Sequence, residues 1–375
     1  MELPGTADVV VVGAGIAGAS AGWALAGRGL DVVVLETEAG AGHHATGRSA
    51  ALLTETYGAS VVSGLVRASK PFLLDPPDGF ADVDLTAPRG VLWIAPAGDA
   101  EALRQEAAGW VADHEVLDAN GARAIVPLLR DEATVVAVHE PGALDLDVDA
   151  LLQGYLRALR VSGGVVATGT PVTGIEPSGD GWTVSTPAGP VSTAVVVDAA
   201  GAWGDVVAAL AGVAPLGLQP LRRTAFLFRP PDGHDTRSWP LVCDTAETFY
   251  VKPDAGMLLG SPADTTPSEP CDARPEELDV ARGIEAIEAA LDLQVRGVRA
   301  PWAGLRTFAP DHVPTVGRDP EHPGFVWLVG QGGYGIKTSP AMAWATASVV
   351  LDEAWPAVLT EASVTAADLD PARFR

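Results

Sequence analysis

The sequence predicts an α/β (α+β) fold, in which a Rossmann-like dinucleotide-binding unit is interleaved with a β-rich second domain. Three observations carry this. Residues 7–36 read as strand, glycine turn, helix, strand. Residues 222–262 are β-rich, and a strand–glycine turn–helix pattern returns at 325–353. No repeat or low-complexity linker separates these parts, so the two domains share the chain in alternating segments. Residues 1–85, 145–218 and 305–375 are expected to form the nucleotide-binding domain. Residues 86–144 and 219–304 are expected to form the second.

Ala7–Val12 is a β-branched run suited to a strand buried on both faces. Ala19–Arg28 is helix-forming and ends at Gly29, and Val32–Leu35 is the next strand. Helices are expected over Glu101–Ala108, Ala119–Ile125, Leu278–Leu291 and Ser339–Glu353. Asp149–Val161 is the clearest helix: Leu151, Leu152, Tyr155, Leu156 and Leu159 recur at helical spacing, and Asp147 or Asp149 can cap it. Strands are expected at Val135–His139, Val165–Ala167, Val172–Glu176, Trp182–Ser185, Val195–Ala199 and Phe325–Val329.

The chain has 375 residues, 47% of them hydrophobic, enough for a large core. A net charge of −24 would repel phosphate backbones, which sets nucleic acid aside as a partner. Cys243 and Cys271 lack metal-ligand spacing, and the seven histidines show no metal pattern, so no metal is expected. The first residues lack a signal-peptide pattern, and no run approaches the ~18 apolar residues of a membrane span. The expectation is a cytoplasmic protein.

Gly13-Ala14-Gly15-Ile16-Ala17-Gly18, between a strand and a helix, is the dinucleotide fingerprint. Its glycines serve the tight turn, the approach to the pyrophosphate and the helix–strand packing. The helix N-terminus offers free N–H groups to phosphate. Glu36, closing the second strand and followed by Thr37, stands where a ribose hydroxyl pair would be held. Two later features favour FAD over a nicotinamide. Val195–Trp203 is a strand entering a small-residue turn, with Ala200, Gly201 and Trp203 able to approach the cofactor. Val326–Thr338 is a strand, glycine turn and helix start whose amides and dipole can face an electron-rich ring carbonyl.

The fingerprint with Glu36, Thr46-Gly47-Arg48-Ser49-Ala50-Ala51, Asp198–Trp203, Trp302–Arg306 and Gln331-Gly332-Gly333-Tyr334-Gly335-Ile336 resemble the D-amino-acid oxidase superfamily, with glycine and sarcosine oxidases as relatives. Within it the chain most resembles the bacterial D-arginine dehydrogenases, through Leu218–Pro220, Arg222-Arg223 and Phe249–Pro262 as well. The resemblance implies a GR2-type FAD domain and a β-sheet domain covering the flavin. It adds Val172 and Lys337 to the cofactor contacts. It implies that Arg306, Arg223 and Tyr250 bind the substrate carboxylate, that Tyr57 closes the pocket from a loop, and that the Gly333 carbonyl accepts the substrate amine. Strand alternation requires one of Arg222 and Arg223 to face inward and the other outward.

Three departures from the D-arginine enzymes matter, and one from sarcosine oxidase. Val91 stands where the D-arginine enzymes have a glutamate that binds the cationic side chain, and Leu52 where they have a histidine. With Thr54 they would make an apolar pocket, since a guanidinium buried there would lose its partner. Lys337 replaces a glutamine, as in sarcosine oxidase, and would place a cation at the flavin N1–C2=O edge. Thr307-Phe308 stand where sarcosine oxidase has its flavin-linking cysteine, so FAD is expected to be non-covalent. The activity implied is oxidative deamination of D-amino acids, with neutral or apolar ones expected. Hydride leaves Cα for flavin N5, and the imine hydrolyses to a 2-oxo acid and ammonia. The alternative is oxidation of secondary or cyclic amines. Oxygen or a quinone would take the electrons onward.

Overall fold

The computed structural model describes residues 3–375. One sheet of eight strands is built around Thr6–Val12, which pairs in parallel with Val191–Asp198 on one side and Val32–Leu35 on the other. Val165–Ala167 extends it beyond Val32–Leu35, and Phe325–Val329 joins the end of Val191–Asp198, both in parallel. Val9–Val12 and Val32–Leu35 are buried throughout, as a sheet covered on both faces demands.

A second sheet of nine strands has Gln219–Phe228 near one end, where it pairs antiparallel with Arg299–Phe308 over most of its length. It continues through Met257–Ser261, Tyr250–Asp254, Leu241–Asp244, Val91–Ala95, Val136–Glu140 and Glu115–Asp118. Leu52–Leu53, Leu144–Leu146 and Thr86–Pro88 form a small third sheet. The strand Arg299–Phe308 runs unbroken across the boundary expected at 304/305.

Most expected elements lie within two residues of their expected bounds, and Asp147 caps the helix Val148–Val161 by accepting the Ala150 amide at 2.9 Å. Three differ. The first helix begins at Ile16 rather than Ala19 and ends at Ala26. The last long helix begins at Gly335 rather than Ser339. Ser339-Pro340 reads as a cap followed by a first-turn proline. Pro340 instead sits inside the helix, and the Ile336 carbonyl it cannot serve is taken by Ser339 Oγ at 2.9 Å. The helix Ser60–Leu74 was not expected, since it holds Gly64 and Pro71 and has no side-chain cap. Tertiary packing forms it: a Cβ at Gly64 would lie 2.7 Å from the Ala362 carbonyl oxygen, so the glycine admits the C-terminal segment. Among the described residues no helix is long and apolar enough to cross a membrane.

Candidate active site

The carboxyl ends of the first sheet's strands open into a cleft of about 530 Å3, the position at which open parallel sheets bind ligands. Gly13 makes the turn after the first strand at φ +103°, where a side chain would be strained. A Cβ there would stand 2.6 Å from the Ala199 carbonyl oxygen, so the two small-residue turns close on one another. Glu36 Oε2 accepts the Ala14 amide at 2.8 Å and Oε1 accepts the Glu38 amide at 2.9 Å. Its carboxylate is thereby fixed at the cleft wall. Thr46 Oγ1 accepts the first-turn amide of Ile16 at 3.0 Å.

Of the residues expected at a dinucleotide, Gly13, Gly15, Ile16, Ala17, Glu36, Thr37, Thr46, Arg48, Ser49, Val172, Ala200, Gly201, Trp203, Gly332, Gly333, Gly335 and Ile336 line this cleft. Six do not. Gly18 lies behind the turn, where a Cβ would fall 1.9 Å from the Gly13 carbonyl oxygen. Gly47 closes a turn by donating to the Gly42 carbonyl at 2.7 Å. Tyr334 is buried between the rings of Tyr57 and Phe308. Ala50, Ala51 and Lys337 line a second cavity instead. Cys271 and the pair His43 and His44 also line the cleft. The histidines do group there, contrary to the sequence pattern: Glu38, His43 and His44 bring ligand atoms within 4.8 Å of one another. His44 is already engaged, its Nε2 2.9 Å from Glu38 Oε1 and its ring 4.6 Å from that of Trp203.

The second cavity, about 130 Å3, shares Ser49, Arg306 and Gly333 with the first. It brings together Tyr57, Arg223, Tyr250, Arg306, Gly333, Leu52, Thr54 and Val91. Strand pairing explains the arginines. Arg306 is in register with Leu221 and Arg223 with Gly304, so the two are diagonal neighbours on one sheet face. Arg222 faces away and pairs with Glu276 and, at 2.7 Å, with Asp279. Arg223 Nε donates to the Asp264 carbonyl at 2.9 Å and Arg306 Nη2 to the Arg48 carbonyl at 3.1 Å. Neither has a carboxylate partner within 4.0 Å among the described residues. Burial, and less strongly the Arg223 charge, lower the pKa of Arg306. Two guanidiniums thus face one small cavity in need of an anion.

The remaining wall is mostly apolar, and several of its members were not singled out from sequence: Trp93, Leu241, Cys243, Glu247, Phe249 and Ala263. Glu247 matters most. It occupies the turn before Tyr250 at φ +51°, is exposed, and stands 3.5 Å from the Tyr57 hydroxyl. Burial, then the Glu247 charge, raise the Tyr57 pKa, so the ring stays a phenol at neutral pH.

Residues 8–349 match the model of the FAD dependent oxidoreductase family, DAO. The chain belongs to this family. FAD is therefore its cofactor, and the first cleft, with its glycine turn, its fixed acid and its small-residue second turn, fits that group. This DAO-family chain is 31% identical over 180 residues to the bovine FAD-dependent oxidoreductase domain-containing protein 1, covering 44% of the chain and 37% of that protein. It therefore spans well under two thirds of that relative's length. It is 24% identical to the N-methyl-L-tryptophan oxidase of Salmonella agona, over 89% of the chain and 92% of that protein. Its fold matches the glycine oxidase from Geobacillus kaustophilus with a TM-score of 0.82 at 22% identity, over 94% and 96% of the two chains.

Proposed function

We propose that this DAO-family chain oxidises the Cα–N bond of neutral, apolar D-amino acids, releasing an imine that water converts to a 2-oxo acid and ammonia. The observation that carries the reading is the pair of guanidiniums, Arg223 and Arg306, without carboxylate partners, beside Tyr250 in a cavity that opens onto the cofactor cleft. FAD, when bound, would supply the redox chemistry as the acceptor of the Cα hydrogen and its electron pair.

The chain's own residues bind and orient. Arg306, a planar fork, takes the substrate carboxylate in a bidentate pair, with Tyr250 and Arg223 completing its shell. The Gly333 carbonyl, at the boundary of the two cavities, receives the amine. Tyr57, a phenol at neutral pH, closes the cavity and donates to its contents. The amine proton leaves toward the mouth, where Glu247 meets water. Fixing reactant geometry in this way contributes on the order of 7–11 kcal/mol in favourable cases. Leu52, Val91, Leu241 and Phe249 favour an uncharged side chain.

The similarity to N-methyl-L-tryptophan oxidase over nearly the whole of both chains favours a second reading, oxidation of secondary amines. One experiment separates the two: anaerobic mixing of purified holoprotein with primary D- and L-amino acids and N-methyl amino acids, followed by flavin absorbance. Bleaching by D-leucine or D-methionine, but poorly by D-arginine, supports the main reading. Bleaching by N-methyl substrates alone replaces it with the second, and a preference for D-arginine refutes the neutral pocket.

A further inference from the structure

Between the strand Leu52–Leu53 and the helix Ser60–Leu74 runs a short loop, Thr54–Gly58, that carries Tyr57 to the cavity. Such a segment has few backbone partners of its own, and its neighbours decide its position. Ser63 Oγ, Trp93 Nε1 and Lys70 each bond one loop residue, and two buried ionisable side chains from unrelated elements bond several.

Glu140 ends the strand Val136–Glu140 and is 3% exposed. Its Oε2 accepts the hydroxyls of Thr54 and Thr56, each at 2.6 Å, and its Oε1 accepts the Glu55 amide at 3.1 Å. All three donors belong to the loop. Lys337, in the first turn of the helix Gly335–Leu351, is equally buried. Its Nζ donates to the Thr54 carbonyl at 2.9 Å and the Tyr57 carbonyl at 3.2 Å, the two carbonyls that bracket the loop. No carboxylate forms an ion pair with it among the described residues.

A lysine in this place is costly. It is removed from water, and it lies at the positive end of a helix, where a cation is disfavoured. Both penalties are offset only by the loop carbonyls, by the rings of Tyr57 and Tyr334 at 5.3 and 5.6 Å, and by the more distant charges of Glu140 and Glu55. Every partner except Tyr334 and Glu140 belongs to the loop. The ammonium is therefore committed to the loop backbone.

We propose that Glu140 and Lys337 are positioning residues that together clamp the Thr54–Gly58 loop and so hold Tyr57 over the substrate cavity. This rests on the reading of that cavity as the substrate site. It gives Lys337 a different task from the one expected at the flavin edge. Glu140 also clarifies the acid missing at position 91. It is the register partner of Val91 on the neighbouring strand, so a carboxylate is present one strand away, but threonine hydroxyls and an amide of the loop engage it.

The test compares the wild-type holoprotein with K337M, E140Q and the milder T56V, which removes one donor to Glu140. Three quantities are read: amide hydrogen exchange at residues 55–58, kcat and KM separately, and the midpoint potential of the bound flavin. The clamp predicts exchange faster by roughly ten-fold or more in K337M and E140Q, the size of one lost charge-assisted hydrogen bond, and a smaller change in T56V. It predicts a KM raised by about ten-fold with kcat altered by less than about three-fold, and an unchanged potential. A shifted potential and lowered kcat in K337M, with wild-type exchange in the loop, would overturn it and return Lys337 to the flavin. Wild-type exchange in both K337M and E140Q would also overturn it. The exchange measurement needs no turnover, so it decides the clamp even if none of the amines tried is a substrate. Should K337M or E140Q fail to fold, T56V with unaltered exchange and KM overturns the Glu140 half.

Discussion

Glu36 Oε2 accepts the backbone amide of Ala14 at 2.8 Å, so the acid that closes the second strand is tied to the middle of the glycine turn that follows the first. With Oε1 on the Glu38 amide, both oxygens have a backbone donor, and their remaining lone pairs serve the cleft. Glu36→Gln turns an amide donor toward one of those N–H groups. The expected result is FAD affinity weakened by about ten- to a hundred-fold, the range for an unmet buried donor. Titration of the apoprotein with FAD measures it, and an unchanged Kd would remove Glu36 from the cofactor site.

Arg306 and Arg223 share one face of the antiparallel pair, and only Arg306 also reaches the cofactor cleft. Arg306→Lys keeps the charge but loses the planar fork, and under the proposed function Arg306→Met leaves the substrate carboxylate half unpaired. Breaking such a pair costs about 3–5 kcal/mol, so kcat/KM in Arg306→Met should fall by roughly two to four orders of magnitude, with Lys between it and wild type. Steady-state kinetics on the best primary amino acid decides. A loss in Arg306→Met below about ten-fold would show that the carboxylate is held elsewhere.

The legible parts of this molecule were those fixed by local backbone constraints. Gly13, Gly15 and Glu36 follow from what a strand–turn–helix must do around a pyrophosphate, and the opposite facing of Arg222 and Arg223 follows from strand alternation. Positions set by which elements come to lie against one another were not legible. Glu247 enters the cavity because Cys243 pairs with Tyr250 across a turn, and no local pattern marks that turn as a cavity wall. Gly47 and Gly18 belong to the same motifs as their neighbours, yet they serve turn closure and packing. Lys337 was recognisable as unusual, but its target was not. A lysine in the first turn of a helix could reach the flavin, water or a loop, and only the fold placed Thr54 and Tyr57 within its reach.

Val91 is 1% exposed and lines the second cavity in register with Glu140. Val91→Glu would put a carboxylate where a cationic substrate side chain could meet it, and opposite an existing acid, where like charges destabilise a strand pair by a few tenths to about 1 kcal/mol. The expected outcome is a lower Tm together with a ratio of kcat/KM for D-arginine over D-leucine raised by about ten-fold or more, one charge-assisted contact's worth. A lowered Tm with the ratio unchanged would show that Val91 does not face the substrate side chain.

Lys337 also makes stability depend on pH in a particular sense. Burial lowers its pKa from 10.5 to about 7, against the smaller opposing pull of Glu140 and Glu55. Below about pH 7 the lysine is charged in both folded and unfolded chains, and the full cost of burying the charge is present. Between about 7 and 10.5 the unfolded chain binds a proton that the folded one has released. The cost therefore fades as pH rises through this window. At 1.36 kcal/mol per unit, the difference across it is on the order of 4–5 kcal/mol. The amine keeps two N–H groups for the two carbonyls, so the loop contacts weaken without vanishing. Lys337→Met removes the titrating group and leaves the carbonyls of Thr54 and Tyr57 unpaired at every pH. The stability of Lys337→Met relative to wild type should thus be most favourable at pH 6 and decline steadily toward pH 10. Denaturant unfolding of both proteins at several pH values reads this directly. A difference that stays flat from pH 6 to pH 10 would mean that Lys337 titrates as it does in water and is not buried as described.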